Sequence, residues 1–329
     1  MRAVVVAEPG GPEQMHVEQR PDPHAGDGEV VVRVAAAGVN RADLLQRKGV
    51  YPPPPGASDI LGLEASGVVA EVGAGVADLS IGDKVMALLE GGGYAELAAV
   101  RATQVVRVPD NIDLIDAGGI PEVFITAHDA LFTRGRLAHG ETVLIHGGGG
   151  GVGTAAIQLA RLHDCRVLVT AGSPAKLARC VELGADFGIN YRTEDFVART
   201  RELTDGRGAD VVLDIMGASY LERNLDVVAN DGRIVVIGMQ GGTRGDIDLG
   251  VMMRRRVSLV STALRARPSA QKAVIVAAFA ADVVPALAAA TLRAVIDRTL
   301  PLDEAAEAHR LLEAGDSVGK IVLVPTPRA

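Results

Sequence analysis

The chain has 329 residues, 48% hydrophobic and 22% charged, which is enough for a sizeable core and, by length, for two domains. A net charge of −8 excludes general attraction to nucleic-acid phosphates or an anionic membrane, while leaving room for one local basic pocket. Aromatic residues make up only 3%, with no Trp, which argues against a stacking platform for single-stranded nucleic acid.

The N-terminal apolar stretch, Met1 to Val6, is too short for a signal sequence, and the longest apolar run, Ala273 to Ala281, is too short to span a bilayer. No membrane partner is expected. The first third reads as β-rich, with short β-branched runs at Ala3–Ala7, Glu29–Ala36, Ala65–Val72 and Lys84–Leu89 between Gly- and Pro-containing turns. Such spacing predicts a compact, barrel-like β domain. Consecutive prolines in Tyr51–Gly56 remove backbone donors and make that segment a loop.

From about residue 123 apolar strands alternate with helical segments, the signature of a parallel sheet with crossover helices. The predicted strands are Thr142–His146, Arg166–Thr170, Phe187–Asn190, Asp210–Asp214 and Arg233–Gly238, with a further one at Arg256–Ser261. After the first of them, Val152, Ala155, Ala156, Leu159 and Leu162 share one helical face. Cys165 and Cys180 fit neither a CxxC pair nor a metal knuckle and read as buried reduced thiols, which suits a cytoplasmic protein. Asp303–Glu313 reads as an amphipathic helix. The run Gly319–Val324 reads as a strand that returns to the N-terminal domain.

The strongest local signal is Ile145-His146-Gly147-Gly148-Gly149-Gly150-Gly151-Val152-Gly153, in which Gly148, Gly150 and Gly153 fit G-x-G-x-x-G. The first glycine permits a tight turn, the second lets backbone approach a pyrophosphate, and the third lets helix and strand pack closely. The motif alone is weak, but a strand precedes it and an amphipathic helix follows. Without the Gly-Lys-Ser/Thr ending of a nucleotide-triphosphatase loop, it favours a dinucleotide. An NAD site usually keeps Asp or Glu at the end of the second strand. Here that position runs Thr170-Ala171-Gly172-Ser173-Pro174-Ala175-Lys176, with no carboxylate. Ser173 and Lys176 offer a hydroxyl and a charge to a 2′-phosphate, with Tyr191 and Arg192 following the next strand, so NADPH is expected.

These segments, together with Ala37-Gly38-Val39-Asn40-Arg41-Ala42-Asp43, Gly49–Gly56, Leu61–Gly67, Leu183–Asp186, Asn190–Arg192 and Gly319–Val322, resemble the medium-chain dehydrogenase/reductase superfamily. The likeness covers essentially the whole chain. It is nearest to the zinc-free quinone oxidoreductase branch, among the zeta-crystallin-related enzymes and their tumour-suppressor-induced, NADPH-using type. The resemblance implies an α/β chain: a GroES-like β-barrel catalytic domain, residues 1–122 plus 298–329, with an inserted Rossmann doubly wound parallel-sheet domain, 123–297. It implies that the cofactor lies in the cleft between them and that the molecule is a homodimer, with the Arg256–Ser261 strand available to pair across the interface.

By the same resemblance Asn40, Asp43 and Tyr51 lie near nicotinamide and substrate, and Gly150, Gly151, Val152 and Gly153 touch the pyrophosphate. Gly172, Ser173, Lys176 and Tyr191 form the 2′-phosphate pocket. Gly238, Met239, Gln240 and Gly241 lie near the nicotinamide ribose, Ala263, Leu264 and Arg265 near the nicotinamide, and Thr126 and Lys320 are further cofactor contacts.

Zinc-dependent relatives have Cys where this chain has Asn40, and His where it has Leu63 beside Glu64. The seven histidines, His16, His24, His128, His139, His146, His163 and His309, include no H-x-x-x-H pair. No metal is expected, and without a Lewis acid alcohol oxidation is disfavoured. The expected activity is transfer of hydride from NADPH to a quinone, with Tyr51 either donating to a developing oxyanion or simply walling the site, and Asn40 orienting the ring. The alternatives are an enone or enal reductase, and an NADPH-binding sensor or structural protein with weak turnover.

Overall fold

The computed structural model describes residues 1–325 and divides into two compact units: Met1–Ile125 with the chain from Leu264 on, and Thr126–Ala263. The boundary falls inside the helix Pro121–His128. Residues 264–297, expected in the nucleotide-binding domain, therefore count with the first unit. There the helix Ser269–Asp282 packs on Ala102–Gln104 and Val105–Arg107, and Lys272 pairs with Glu90.

In the second unit six strands form one parallel sheet, in the spatial order Phe187–Asn190, Arg166–Ala171, Thr142–His146, Ala209–Asp214, Val228–Val236, Ser258–Ser261. This is the doubly wound order whose connections reverse direction between the first and fourth strands. Each predicted strand is present within a few residues, although the fifth begins at Val228 and ends at Val236. Leu144, Leu168, Ile189, Val212 and Ile234 of the strands form one wholly buried cluster with Phe196, which begins the helix Phe196–Leu203. The helix after the first strand, Gly151–Leu162, is wrapped more widely than its predicted stripe, since Gly153 through Ala160 are all buried while Leu162 is exposed.

In the first unit the strand Glu29–Gly38 is the hub. It pairs antiparallel with Glu64–Val72, with Leu97–Arg101 and with the C-terminal strand Lys320–Val324. The return of the chain's end is thus observed, with Leu323 opposite Ala37. The amphipathic helix before it runs Ala305–Ala314. Tyr51–Gly56 is neither helix nor strand. The apolar run at Ala273–Ala281 belongs to a longer helical stretch, Ser269–Ala288, whose length and mean hydropathy of 1.6 would suffice to cross a membrane. Within the unit, however, Lys272, Ile275, Val276 and Phe279 are buried, as is Leu287, whose carbonyl accepts from Asn111.

Candidate functional site: a glycine loop and a buried polar cluster

In the second unit the loop Gly147–Gly150 leaves the end of the first strand, at the topological switch point. The tight turn falls on Gly147, with φ +70°, and not on Gly148 as the motif register suggested. Gly148 is small for a different reason: a Cβ there would lie 2.8 Å from that of Val169. Gly153 is required by packing, since its Cβ would meet the Gly147 carbonyl at 2.3 Å. Gly150 differs from all three. Its backbone is extended, with ψ 172°, and a Cβ would meet nothing closer than 3.5 Å. Neither backbone strain nor protein packing calls for glycine there, which fits a position kept bare for a ligand lying on the helix N-terminus.

Ser173 caps the next helix, Pro174–Glu182, its Oγ accepting from the Lys176 N–H at 3.4 Å. Its hydroxyl proton remains available. Lys176 runs against Gly149, and the Tyr191 hydroxyl lies so close to Gly172 that a Cβ would sit 2.6 Å from it. Gly149, Gly172, Ser173, Lys176, Tyr191 and Arg192 are therefore one neighbourhood. No carboxylate occurs between Thr170 and Lys176, so an anionic group is not repelled there.

Beneath the loop, buried His146 is 3.1 Å from the Thr170 Oγ1 through Nδ1 and 2.8 Å from the Asn224 Oδ1 through Nε2. Burial pushes it down to about 4, so it is a neutral structural tie. Gly238–Gly241 packs on the loop after the fourth strand, where Gln240 donates to the Ile215 carbonyl and Gly241 to that of Met216. Met239 is exposed, and Thr126 is half-buried.

The first unit holds a second polar cluster. Asn40 begins the helix Arg41–Arg47, and its backbone N–H donates to the Asp43 Oδ2 at 2.8 Å. Its side-chain amide donates to Glu64 Oε1 at 2.9 Å and accepts from Lys320 at 2.6 Å. Lys320 also donates to Glu64 at 2.7 Å and to the Val39 carbonyl at 2.8 Å, which occupies all three of its protons. Asp43 is wholly buried and further accepts from Gly62 N–H and the Tyr94 hydroxyl. Burial outweighs these bonds and raises it to about 6.

Arg265 is buried. It donates to the carbonyls of Glu90, at 2.8 Å, and Tyr51, at 3.3 Å, and lies 5.4 Å from the Tyr51 ring centroid. Its Nη2 is buried with no hydrogen-bond partner among the described residues. Burial and the nearby charge of Glu122 raise the half-buried Tyr51, which stays protonated.

Two family models match: an alcohol dehydrogenase GroES-like domain over residues 26–110 and a zinc-binding dehydrogenase over 151–279. A 2-haloacrylate reductase from a Burkholderia species is 32% identical and aligns over 98% of both chains. The chain belongs to the medium-chain dehydrogenase/reductase superfamily. A solved NAD-dependent alcohol dehydrogenase is 34% identical with TM-score 0.88, covering 98% of this chain and 99% of its own. Escherichia coli quinone oxidoreductase, solved with NADPH, is 28% identical with TM-score 0.88, covering 99% of this chain and all of its own. A highly-reducing polyketide synthase of Aureobasidium melanogenum is 34% identical, but the chain spans only 14% of that protein's length.

This medium-chain dehydrogenase/reductase is thus an oxidoreductase with a GroES-like unit and a Rossmann-type unit. The zinc-binding dehydrogenase match, at 151–279, includes none of positions 40, 63 and 64, and Leu63 is a buried hydrocarbon. Of the residues expected at the site, Asn40, Asp43 and Lys320 form one bonded group, and Tyr51 and Arg265 another. Leu264 is buried and Ala263 exposed. Asp43, wholly buried, takes the Asn40 backbone N–H at 2.8 Å and so fixes the backbone from which Asn40 projects. Sequence reasoning missed Glu122, the Tyr94–His309–Arg47 chain that backs Asp43, and the Glu90 carbonyl that holds Arg265. A glutamate after Pro121 at a helix start looks like an ordinary partner of the helix dipole, and nothing in the sequence places it beside Glu64.

Proposed function

We propose that this chain is a zinc-independent, NADPH-dependent quinone reductase. The dinucleotide supplies hydride when bound. Gly150 and the N-terminus of Gly151–Leu162 would hold its pyrophosphate, and Ser173, Lys176 and Tyr191 its 2′-phosphate. The absence of a carboxylate at Thr170–Lys176 and the NADPH held by the Escherichia coli enzyme support that choice of cofactor.

The acceptor class rests on one observation, the Tyr51–Arg265 pair. A protonated phenol and a guanidinium whose buried Nη2 has no partner among the described residues are donors suited to an oxygen that becomes negative as a conjugated carbonyl is reduced. Asn40, clamped between Glu64 and Lys320, presents a fixed edge that orients what lies against it. The same donors serve an activated alkene conjugated to a carbonyl, and the likeness to a 2-haloacrylate reductase favours that second reading.

The test is NADPH oxidation against ortho- and para-quinones, enones and 2-haloacrylates, with product analysis. Hydroquinone supports the first reading and a saturated carbonyl the second. Tight NADPH binding with no turnover on the whole panel removes both. The same reading makes the protein cytoplasmic and homodimeric. The outer edge of Ser258–Ser261, last in its sheet and bearing exposed Leu259, supports the dimer.

A further inference from the structure

We propose that the carboxyl of Glu122, grouped with Tyr51 and Arg265 in the first unit, delivers the proton that completes the reduction. The inference rests on the reading of the protein as a reductase.

Three carboxyls meet in this cluster, and only one is free to act. Glu64 has both oxygens engaged: Oε1 by Asn40 and Lys320, and Oε2 by the Glu122 backbone N–H at 2.9 Å. Asp43 is sealed from solvent and holds Gly62, Asn40 and Tyr94. Glu122 is half-buried, and its carboxyl takes no hydrogen bond from any described residue. Its backbone is nonetheless fixed, because its own N–H is tied to Glu64 in the first turn of Pro121–His128.

The charged groups around it come from every neighbouring element: Glu64 from the strand beside it, Asp43 from the helix Arg41–Arg47, Lys320 from the last strand, Arg265 from the segment after Ala263, and Tyr51 from the proline loop. A helix N-terminus and two cations favour the anion. Lys320, however, has all three protons engaged, one of them on Glu64. Burial and the charge of Glu64 prevail and raise Glu122 to about 8. At neutral pH this carboxyl carries a proton, which is the form a general acid needs.

The balance is simple. The acceptor takes two electrons and one hydrogen from the reduced dinucleotide, which is oxidised. The Glu122 O–H bond breaks, its proton forms the second new bond of the reduced product, and water reprotonates the carboxylate.

The experiment compares wild type with Glu122→Gln and Glu122→Asp. In cofactor-free protein, infrared titration should show a protonated-carboxyl band at about pH 7 that is lost by about pH 10 and is missing from E122Q. With NADPH and a turned-over acceptor, wild-type kcat/KM should fall as pH rises through about 8. E122Q should lose that limb and be slower at neutral pH by at least about tenfold, while E122D should keep a displaced limb. NADPH affinity should stay the same in all three. An E122Q enzyme with the wild-type rate and pH limb overturns the proposal, as does a carboxyl already ionised at about pH 7. Wild type that reduces no acceptor while showing the infrared band sinks the reductase reading instead, so the two failures are distinct.

Discussion

Lys320, in the C-terminal strand, donates to Glu64 Oε1 at 2.7 Å, and both side chains are almost wholly buried. The pair fastens the strand Lys320–Val324 to the start of the strand Glu64–Val72 and, through the 2.6 Å bond to Asn40, fixes the residue that begins the helix Arg41–Arg47.

Removing one member of a buried pair leaves a stranded charge. Lys320→Met should therefore lower unfolding free energy by about 3–5 kcal/mol, whereas the double substitution Lys320→Met with Glu64→Gln should recover most of it. Urea unfolding of wild type and the two variants measures this. A single variant as stable as wild type would show that the pair does not hold the unit together.

The glycine loop separates folding from binding. Gly153→Ala should destabilise by about 1–3 kcal/mol, because its Cβ collides with the Gly147 carbonyl. Gly150→Ser places a good helix cap where a Cβ makes only an ordinary 3.5 Å contact with the Gly147 carbonyl, so stability should change by less than about 0.5 kcal/mol. NADPH affinity should nevertheless fall by about tenfold or more, read by fluorescence titration. Unchanged affinity in G150S would mean that the bare face serves no ligand.

Ser173→Asp tests the cofactor choice. Aspartate caps a helix as well as serine, so Pro174–Glu182 should keep its N-terminus. The new carboxylate repels a 2′-phosphate and suits a 2′-hydroxyl. NADPH should bind at least about tenfold more weakly, and NADH no worse than before. Equal losses for both would place the phosphate elsewhere.

His146 and His309 should remain neutral in the folded protein at about pH 5. Burial lowers them to about 4 and about 3, the latter helped by the nearby charge of Arg47. An unfolded histidine protonates near 6.5, so below that value the unfolded chain holds the extra proton and acidification costs stability. Each group contributes a slope of up to about 1.4 kcal/mol per pH unit. Asp43 and Glu122 act oppositely. Their folded values lie above the unfolded ones, so across about 3.8 to 6 and 4.5 to 8 the folded state binds more protons and stability falls as pH rises. The overlap hides each group in a bulk profile. Nitrogen-15 NMR of the imidazoles resolves it, and an imidazolium signal from either histidine at about pH 6 would contradict the burial argument.

The sequence alone determined the alternation of strand and helix from Thr142 onward, the loop that follows the first strand, the missing acid before Lys176, and the return of the final strand. Each is written in residues close to one another in the chain, as a period, a turn or a cap, and local sterics and burial read it directly. Tertiary structure alone decided that Gly147 makes the turn, that residues 264–297 pack with the first unit, that all three protons of Lys320 are engaged, and that burial and Glu64 hold the Glu122 carboxyl above the usual carboxylate range. Those outcomes depend on which distant groups share a low-dielectric interior. The energy of a buried charge is set by neighbours brought in from remote parts of the chain, which no local pattern encodes.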